Sequence, residues 1–247
     1  MRRVLMSRRW IVLTAVVLAA VAVMVSLGFW QLRRLHSVRQ DNARVRARLA
    51  LPVASVETVL SPSVDPSSVA FRRVSVTGRY DRVAEILLQN RSFNGDPGSH
   101  VLTPLRMQDG RGVIVDRGFV PLDMTAREEE QARPPLFETV SIIGELFPSD
   151  RKGVFSPAIP STGRLTTIPR VDVPRIAKQL GYPVEPLYLR LESQTPAQPG
   201  PLPVPPELPD LTEGPHLSYA VQWFLFAAVA LATYVALQLK ATRKPAG

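Results

Sequence analysis

Three histidines, His36, His100 and His216, are the residues of this chain best suited to act as a base, a proton shuttle or a metal ligand, and no cysteine shares that work. The lack of cysteine removes thiolate metal sites, thiol nucleophiles and a disulfide framework. A serine–histidine–acid enzyme would need one of the three as its base. Gly98-Ser99-His100 lies near Asp96, but adjacency in sequence does not bring a nucleophile within hydrogen-bond reach, and there is no Gly-x-Ser-x-Gly elbow. His100, at the start of a strand, is expected at the surface or in a hairpin. No two histidines stand at i, i+3 or i, i+4, no acidic cluster has ligand spacing, and no glycine-rich phosphate loop joins a strand to a helix. Asp109-Gly110 reads as a turn and Asp116-Arg117 as a charged pair at a strand end. The chain is expected not to be an enzyme.

His216 differs from the other two. It stands at the mouth of a long apolar run, in Gly214-Pro-His-Leu-Ser-Tyr-Ala-Val-Gln-Trp-Phe224. Pro215 suits the first turn of a helix. His216, Tyr219, Ala220, Trp223 and Ala227 then share one helical face. In the first apolar run Ala15, Ala19, Ala22 and Ser26 form a small-residue stripe, the kind that lets membrane helices approach closely. If the two faces pack antiparallel, His216 meets Gly28, Trp30 and Gln31. Such a place is half wet, half apolar and aromatic-lined. Neutral imidazole is an axial ligand of haem iron, and Arg33 or Arg34 could pair with propionates. The plain alternative is that His216 caps backbone groups or snorkels at the interface.

Two apolar runs must position these residues. Ile11 to Trp30 is twenty residues without a charge, and Leu217 to Leu239 is as apolar and ends at Lys240. At 1.5 Å per residue either crosses a hydrocarbon core of about 30 Å. Trp10, Trp30, Tyr219 and Trp223 lie near the ends, as interfacial aromatics do. The net charge of +9 follows the same logic. Arg2, Arg3, Arg8 and Arg9 precede the first run, and Lys240, Arg243 and Lys244 follow the second. Between them 23 basic and 21 acidic residues leave only +2. Basic residues beside apolar spans serve membrane anchors, so nucleic acid is not the expected partner. Pro199 to His216 holds no Lys or Arg, which places the C-terminus, and with two spans the N-terminus, on the cytoplasmic side. A cleaved signal peptide, or the twin-arginine kind suggested by Ser7-Arg8-Arg9, is the competing reading of the first run. Its length and the lack of an Ala-x-Ala site favour a span.

The organisation is therefore a cytoplasmic N-terminus (1–9), a span (10–31), an extracytoplasmic β-rich domain (32–215), a span (216–239) and a cytoplasmic C-terminus (240–247). Arg33 to Ala50 reads as a polar continuation of the first helix, ended by Pro52. Arg72–Tyr80, Glu85–Asn90, Val101–Met107, Gly112–Arg117, Thr139–Leu146, Leu165–Ile168 and Leu187–Leu191 are strand candidates. Asn94 to Gly98 reads as a turn, and Pro174 to Leu180, closed by Gly181, as one short helix. The fold class is two transmembrane helices flanking a mainly antiparallel β (α+β) domain, a barrel or sandwich. Thr195 to Pro209, with seven prolines, reads as an extended strut that returns the chain to the membrane.

Several collinear segments carry a resemblance: Gly28-Phe-Trp-Gln-Leu-Arg33, Leu88-Gln-Asn-Arg-Ser92, Val101-Leu-Thr-Pro-Leu105, Val115-Asp-Arg-Gly-Phe-Val-Pro121 and Pro215-His-Leu-Ser-Tyr-Ala-Val-Gln-Trp-Phe224. Together they resemble the Surfeit locus protein one family over essentially the whole chain. The resemblance implies a cytochrome c oxidase biogenesis factor of the bacterial cell membrane or the mitochondrial inner membrane. It implies help in delivering haem a to the catalytic subunit, with His216 matching the histidine implicated in haem binding. Tyr219, Trp223, Trp30, Gln31 and Arg33 are expected around that site, with His36 a remote candidate for a second ligand. The haem-copper oxidase catalytic subunit, haem a synthase and membrane lipid are the expected partners. Where the family carries Asn before the Pro-His pair, this chain has Gly214. The alternative is a membrane-anchored scaffold that docks oxidase subunits without binding haem; an extracytoplasmic hydrolase would instead show activity in the segment 51–209.

Overall fold

A computed structural model describes residues 8–61, 64–132, 138–153, 156–207 and 209–243. The described residues fall into two compact units, one within Met1–Arg44 and Asp210–Gly247 and one within Val45–Pro209.

The first unit is built on two helices. Helix α1, Arg8–Leu49, runs for 42 residues, about 63 Å at the α-helical rise. It carries the apolar run and its polar continuation without a break, as the absence of Gly or Pro between Gln31 and Leu51 predicts. Helix α6, His216–Arg243, is the second apolar element. Both are long and apolar enough to cross a membrane.

The second unit is mainly β. In chain order it holds β1 (Ala54–Ser55), α2 (Val56–Val59), α3 (Pro66–Val69), β2 (Arg73–Tyr80), β3 (Ile86–Phe93), β4 (Asp96–Met107), β5 (Gly112–Pro121), α4 (Ala126–Ala132), β6 (Val140–Pro148), β7 (Thr167–Ile168), α5 (Val173–Ala177) and β8 (Val184–Thr195). The sheet closes on itself, because β2 pairs with β6 on one side and β4 on the other. The ring β2–β4–β5–β8–β6 is a five-stranded Greek-key barrel of the OB kind, antiparallel except where β5 meets β8. Of the two open outcomes, barrel and sandwich, the barrel is the one realised.

Alternation along the strands sorts two cores. Val74, Val76 and Tyr80 of β2, Val113 and Val115 of β5, and Leu187, Leu189 and Leu191 of β8 fill the barrel. Ile114 and Tyr188, one residue out of phase, join Ile86, Leu88, Leu102, Ile168 and Ile176 in a second core on the outside. That outer layer is the crossover between β6 and β8 together with β3. It explains why nine of the ten residues of β5 are buried, a continuous pattern rather than the half-exposed alternation of a one-faced sheet.

Three expectations need correction. The segment Asn94 to Gly98 is a turn only at Asn94 and Gly95, both at positive φ; from Asp96 onward it is already β4. Asp116-Arg117 is not at a strand end but in the middle of β5. Both side chains are buried inside β5, Arg117 completely. The proline-rich stretch is not a free strut, since Val204 exchanges two backbone hydrogen bonds with Phe119, at 2.8 and 2.9 Å. Gly118 makes that approach possible: its φ is +116° and a Cβ there would lie 1.8 Å from the Val204 carbonyl oxygen.

Candidate functional site

The α1 face turned toward α6 repeats every seven residues. Thr14, Val17, Val21, Met24, Gly28, Gln31, Leu35, Val38 and Asn42 are buried or half-buried, at alternating spacings of three and four. On α6 the matching row is His216, Ala220, Trp223, Ala227, Ala230, Tyr234 and Gln238. This is the seam of an antiparallel helix pair, and it corrects the expected packing stripe. Ala15, Ala19, Ala22 and Ser26 are all exposed, because the stripe lies about 100° round the helix from the seam at one residue's offset. Gly28 is a point of close approach between the helices. A Cβ on it would stand 2.6 Å from Phe224 Cε1, and Phe29 meets the same ring edge-on with centroids 5.4 Å apart.

At the cytoplasmic end expected from the sequence a polar clasp crosses the seam. Thr14 Oγ1 donates to Trp10 O at 2.7 Å and contacts the Tyr234 hydroxyl, and Gln238 Nε2 donates to Tyr234 Oη at 2.5 Å. These polar groups satisfy one another across the seam. At the other end Asn42, 9 % exposed, donates to the carbonyls of Leu211 and Thr212 at 2.9 and 3.1 Å. Arg39 grips Glu213 in bidentate fashion at 2.9 and 2.8 Å. This ion pair is exposed and contributes little stability; with Asn42 it fixes where the chain enters α6.

His216 sits between those ends. Pro215 accepts the first helical bond, from Tyr219 N at 3.1 Å, so the imidazole belongs to the first turn, as the sequence predicts. Its Nδ1 lies 2.8 Å from Gln31 Oε1. An amide oxygen can only accept, so Nδ1 is the donor, and in the neutral ring Nε2 is then the nitrogen that carries the lone pair. Neutral imidazole oriented through one nitrogen, with the other free, is the form that ligates a metal. Gly214 leaves room beside it: at φ +65°, its missing Cβ would lie 3.7 and 3.8 Å from His216 Cδ2 and Nε2.

Of the expected neighbours, Gln31 is brought to His216 directly. Trp30 and Tyr219 are 51 % and 46 % exposed. Trp223 is half-buried and packs edge-on against Phe226. Arg33 and Arg34 are exposed. His36 bonds to Gln40 one turn along α1, 2.9 Å between Nε2 atoms. The helices touch at Gly28 and Phe224, three residues from Gln31 on the seam. The residues missed at the sequence level are Asn42, Arg39 and Glu213, whose signal is an Asn on the heptad row of an otherwise arginine-rich segment.

His100 lies in the β3–β4 hairpin, opposite Leu88, one of the two places expected for it. It is largely buried on β4, with Nδ1 3.0 Å from both carboxylate oxygens of Asp116, which also accepts from Gly118 N at 3.1 Å. Among the described residues no hydroxyl hydrogen-bonds this ring, and no group of three or more metal-ligating side chains occurs.

Comparison with known proteins supports one lineage. The sequence pattern of the SURF1 family matches residues 18–228. An uncharacterized SURF1-like protein of Mycobacterium tuberculosis is 29 % identical over 241 residues, covering 95 % of this chain and 86 % of its own length. Surfeit locus protein 1 of Arabidopsis thaliana is 25 % identical, covering 90 % and 77 %, and a SURF1-like protein of Rickettsia felis is 25 % identical, covering 89 % and 94 %.

Proposed function

Because this chain belongs to the SURF1 family, a family of cytochrome oxidase assembly, we propose that it is an integral membrane protein that carries haem a as cargo to the oxidase catalytic subunit. In this reading α1 and α6 span the membrane with both termini on the cytoplasmic side, and the barrel stands outside. His216 offers Nε2 to the haem iron. Trp30 and Tyr219 provide the apolar edge for the macrocycle, and Arg33 and Arg34 lie at the water boundary where propionates need cations. The supporting observation is the Gln31 Oε1–His216 Nδ1 bond of 2.8 Å, which in the neutral ring puts the proton on Nδ1 and leaves the Nε2 lone pair for a ligand. A single ligand of this kind suits a carrier, since cargo must also leave.

The test is purification from cells that make haem a. The wild type should carry a haem absorption band, and His216→Ala should lose it while remaining folded by thermal unfolding. Haem retained by His216→Ala would overturn the reading. The scaffold alternative predicts instead that His216→Ala still supports oxidase assembly.

A further inference from the structure

Where β2 and β4 close the barrel, Arg79 and Arg106 are direct cross-strand partners. Side chains so placed leave the same face with Cβ atoms about 4.5–5.5 Å apart, and like charges there are destabilising. Both are exposed. Nearby arginines are neutralised: Arg73 by Glu192, and Arg111 by Asp109 and Glu185. Among the described residues Arg79 and Arg106 have no such carboxylate. They are held by neutral groups instead. Arg79 Nε donates to Thr139 Oγ1 at 3.3 Å, and the Arg106 guanidinium lies 4.7 Å from the centre of the Tyr182 ring. That ring is itself anchored by its hydroxyl, which donates to Asp81 at 3.0 Å. Two cations are thus positioned without being paired.

They line a cleft of about 610 Å³ with Gln108, Thr139, Tyr80 and Asp81. A bare phosphate or carboxylate would occupy a small part of it. Asp81 is its single acidic residue among those lining it, and one oxygen of that carboxylate already accepts from Tyr182. An extended peptide places alternate side chains on one face about 6.6–6.8 Å apart, a spacing at which two carboxylates reach two neighbouring guanidinium groups. Guanidinium and carboxylate meet in paired, charge-assisted hydrogen bonds.

We propose that this cleft docks an acidic, extended segment of a partner protein, with carboxylates on Arg79 and Arg106. It specifies a partner contact for the assembly role above, and rests on that role only for the existence of a protein partner.

The test uses the full chain in detergent, free of haem, and a fluorescent six-residue peptide with glutamate at alternate positions, read by anisotropy. The peptide should bind. Its glutamine counterpart, Arg79→Gln and Arg106→Gln should each weaken binding by about tenfold or more, the loss expected for one charge-assisted contact. Binding should fall as salt rises. Without peptide, both variants should melt no lower than the wild type, since each relieves a repulsion; a purely structural arginine would lower the melting temperature. Equal binding of both peptides, or unchanged binding by the variants, overturns the proposal. So does a result in which the variants lose binding to anionic phospholipid vesicles but not to the peptide. His216→Ala should keep peptide binding in full, which separates failure of this site from failure of the haem reading.

Discussion

Replacing Gln31 by leucine removes the single acceptor that orients His216 while leaving the imidazole in place. A neutral hydrogen bond such as this one, 2.8 Å long, contributes about 0.5–1.5 kcal/mol, or about two- to thirteenfold in an equilibrium constant. Partners behind a ligating histidine cost about 10–100-fold when removed, and the two ranges meet near tenfold. Gln31→Leu should therefore weaken haem binding by about tenfold. Gln31→Glu keeps an acceptor and gives it charge, so it should bind at least as tightly as the wild type. The assay is a titration of haem into haem-free protein, followed by its absorption band, with thermal unfolding to confirm an intact fold. Gln31 is only half-buried, so leucine should be accommodated. If Gln31→Leu binds like the wild type, or Gln31→Glu binds as poorly as Gln31→Leu, the tautomer argument is wrong.

Three further outcomes follow from the geometry. Gly118→Ala forces a Cβ onto the Val204 carbonyl oxygen at φ +116°; it should cost about 3 kcal/mol or more and lower the melting temperature of the β unit. Gly214→Asn should keep haem binding, because asparagine tolerates φ +65° and the space beside His216 is open, whereas Gly214→Val should disturb the start of α6 by about 1–2 kcal/mol, visible in thermal unfolding and haem uptake. Burial holds the Glu145 carboxyl above its ordinary range, opposed by Arg190, and its Oε1 has no hydrogen-bond partner. A carboxyl with a raised folded-state pKa binds its proton more tightly folded than unfolded, so stability should fall as pH rises from about 4.5 through the raised value. Glu145→Gln should flatten that fall and raise the melting temperature at neutral pH.

The parts of this structure legible in the sequence are those governed by one-dimensional pattern. The two apolar runs, the polar continuation of α1, the hairpin turn at Asp109-Gly110 and the inward row Val74, Val76, Tyr80 all follow from periodicity and turn chemistry. Pattern ends a strand too early where the strand is buried on both faces, as in β5, because the alternation that marks it is lost there. Helix α4 is absent from the sequence expectations although Thr125 and Glu128 form a capping box, Thr125 N to Glu128 Oε2 at 2.8 Å and Glu128 N to Thr125 Oγ1 at 3.3 Å; the signal is present and local. Weighting small side chains above the seven-residue repeat that includes Gln31 and Asn42 sets the seam of α1 one residue off. The pairing of His216 with Gln31 is legible, since both sit at matching depths of antiparallel spans. The pairing of His100 with Asp116 is not, since it depends on the β4–β5 register and its bulge.

Arg117 shows why a buried charge can hold a fold together where the sequence suggests only a charged pair at a strand end. Its guanidinium donates to Ala132 O at the end of α4 at 2.8 Å and to Gln198 Oε1 in the proline-rich segment at 2.9 Å. It also lies 3.6 Å from Glu85 and 5.2 Å from the centre of the Tyr80 ring. One side chain thus touches three stretches far apart in sequence, Tyr80–Glu85, Ala132 and Gln198. Burial pulls its pKa down, and Tyr80 and Glu85 oppose that shift; burial likewise pushes the Tyr80 hydroxyl up to about 12. Arg117→Met would leave the two acceptors without this donor and take the cation away from Glu85, which keeps its bond from Thr103, a loss of about 3–5 kcal/mol. Arg117→Lys should not rescue it, because a single ammonium on a flexible stem lacks the planar fork that serves both acceptors at once. Thermal unfolding of the full chain should therefore show both variants well below the wild type. Limited proteolysis should find the 196–203 stretch newly cleavable, since Gln198 would have lost its anchor. A methionine variant as stable as the wild type would mean that packing alone holds these segments together, and that the cation is retained there for some other reason.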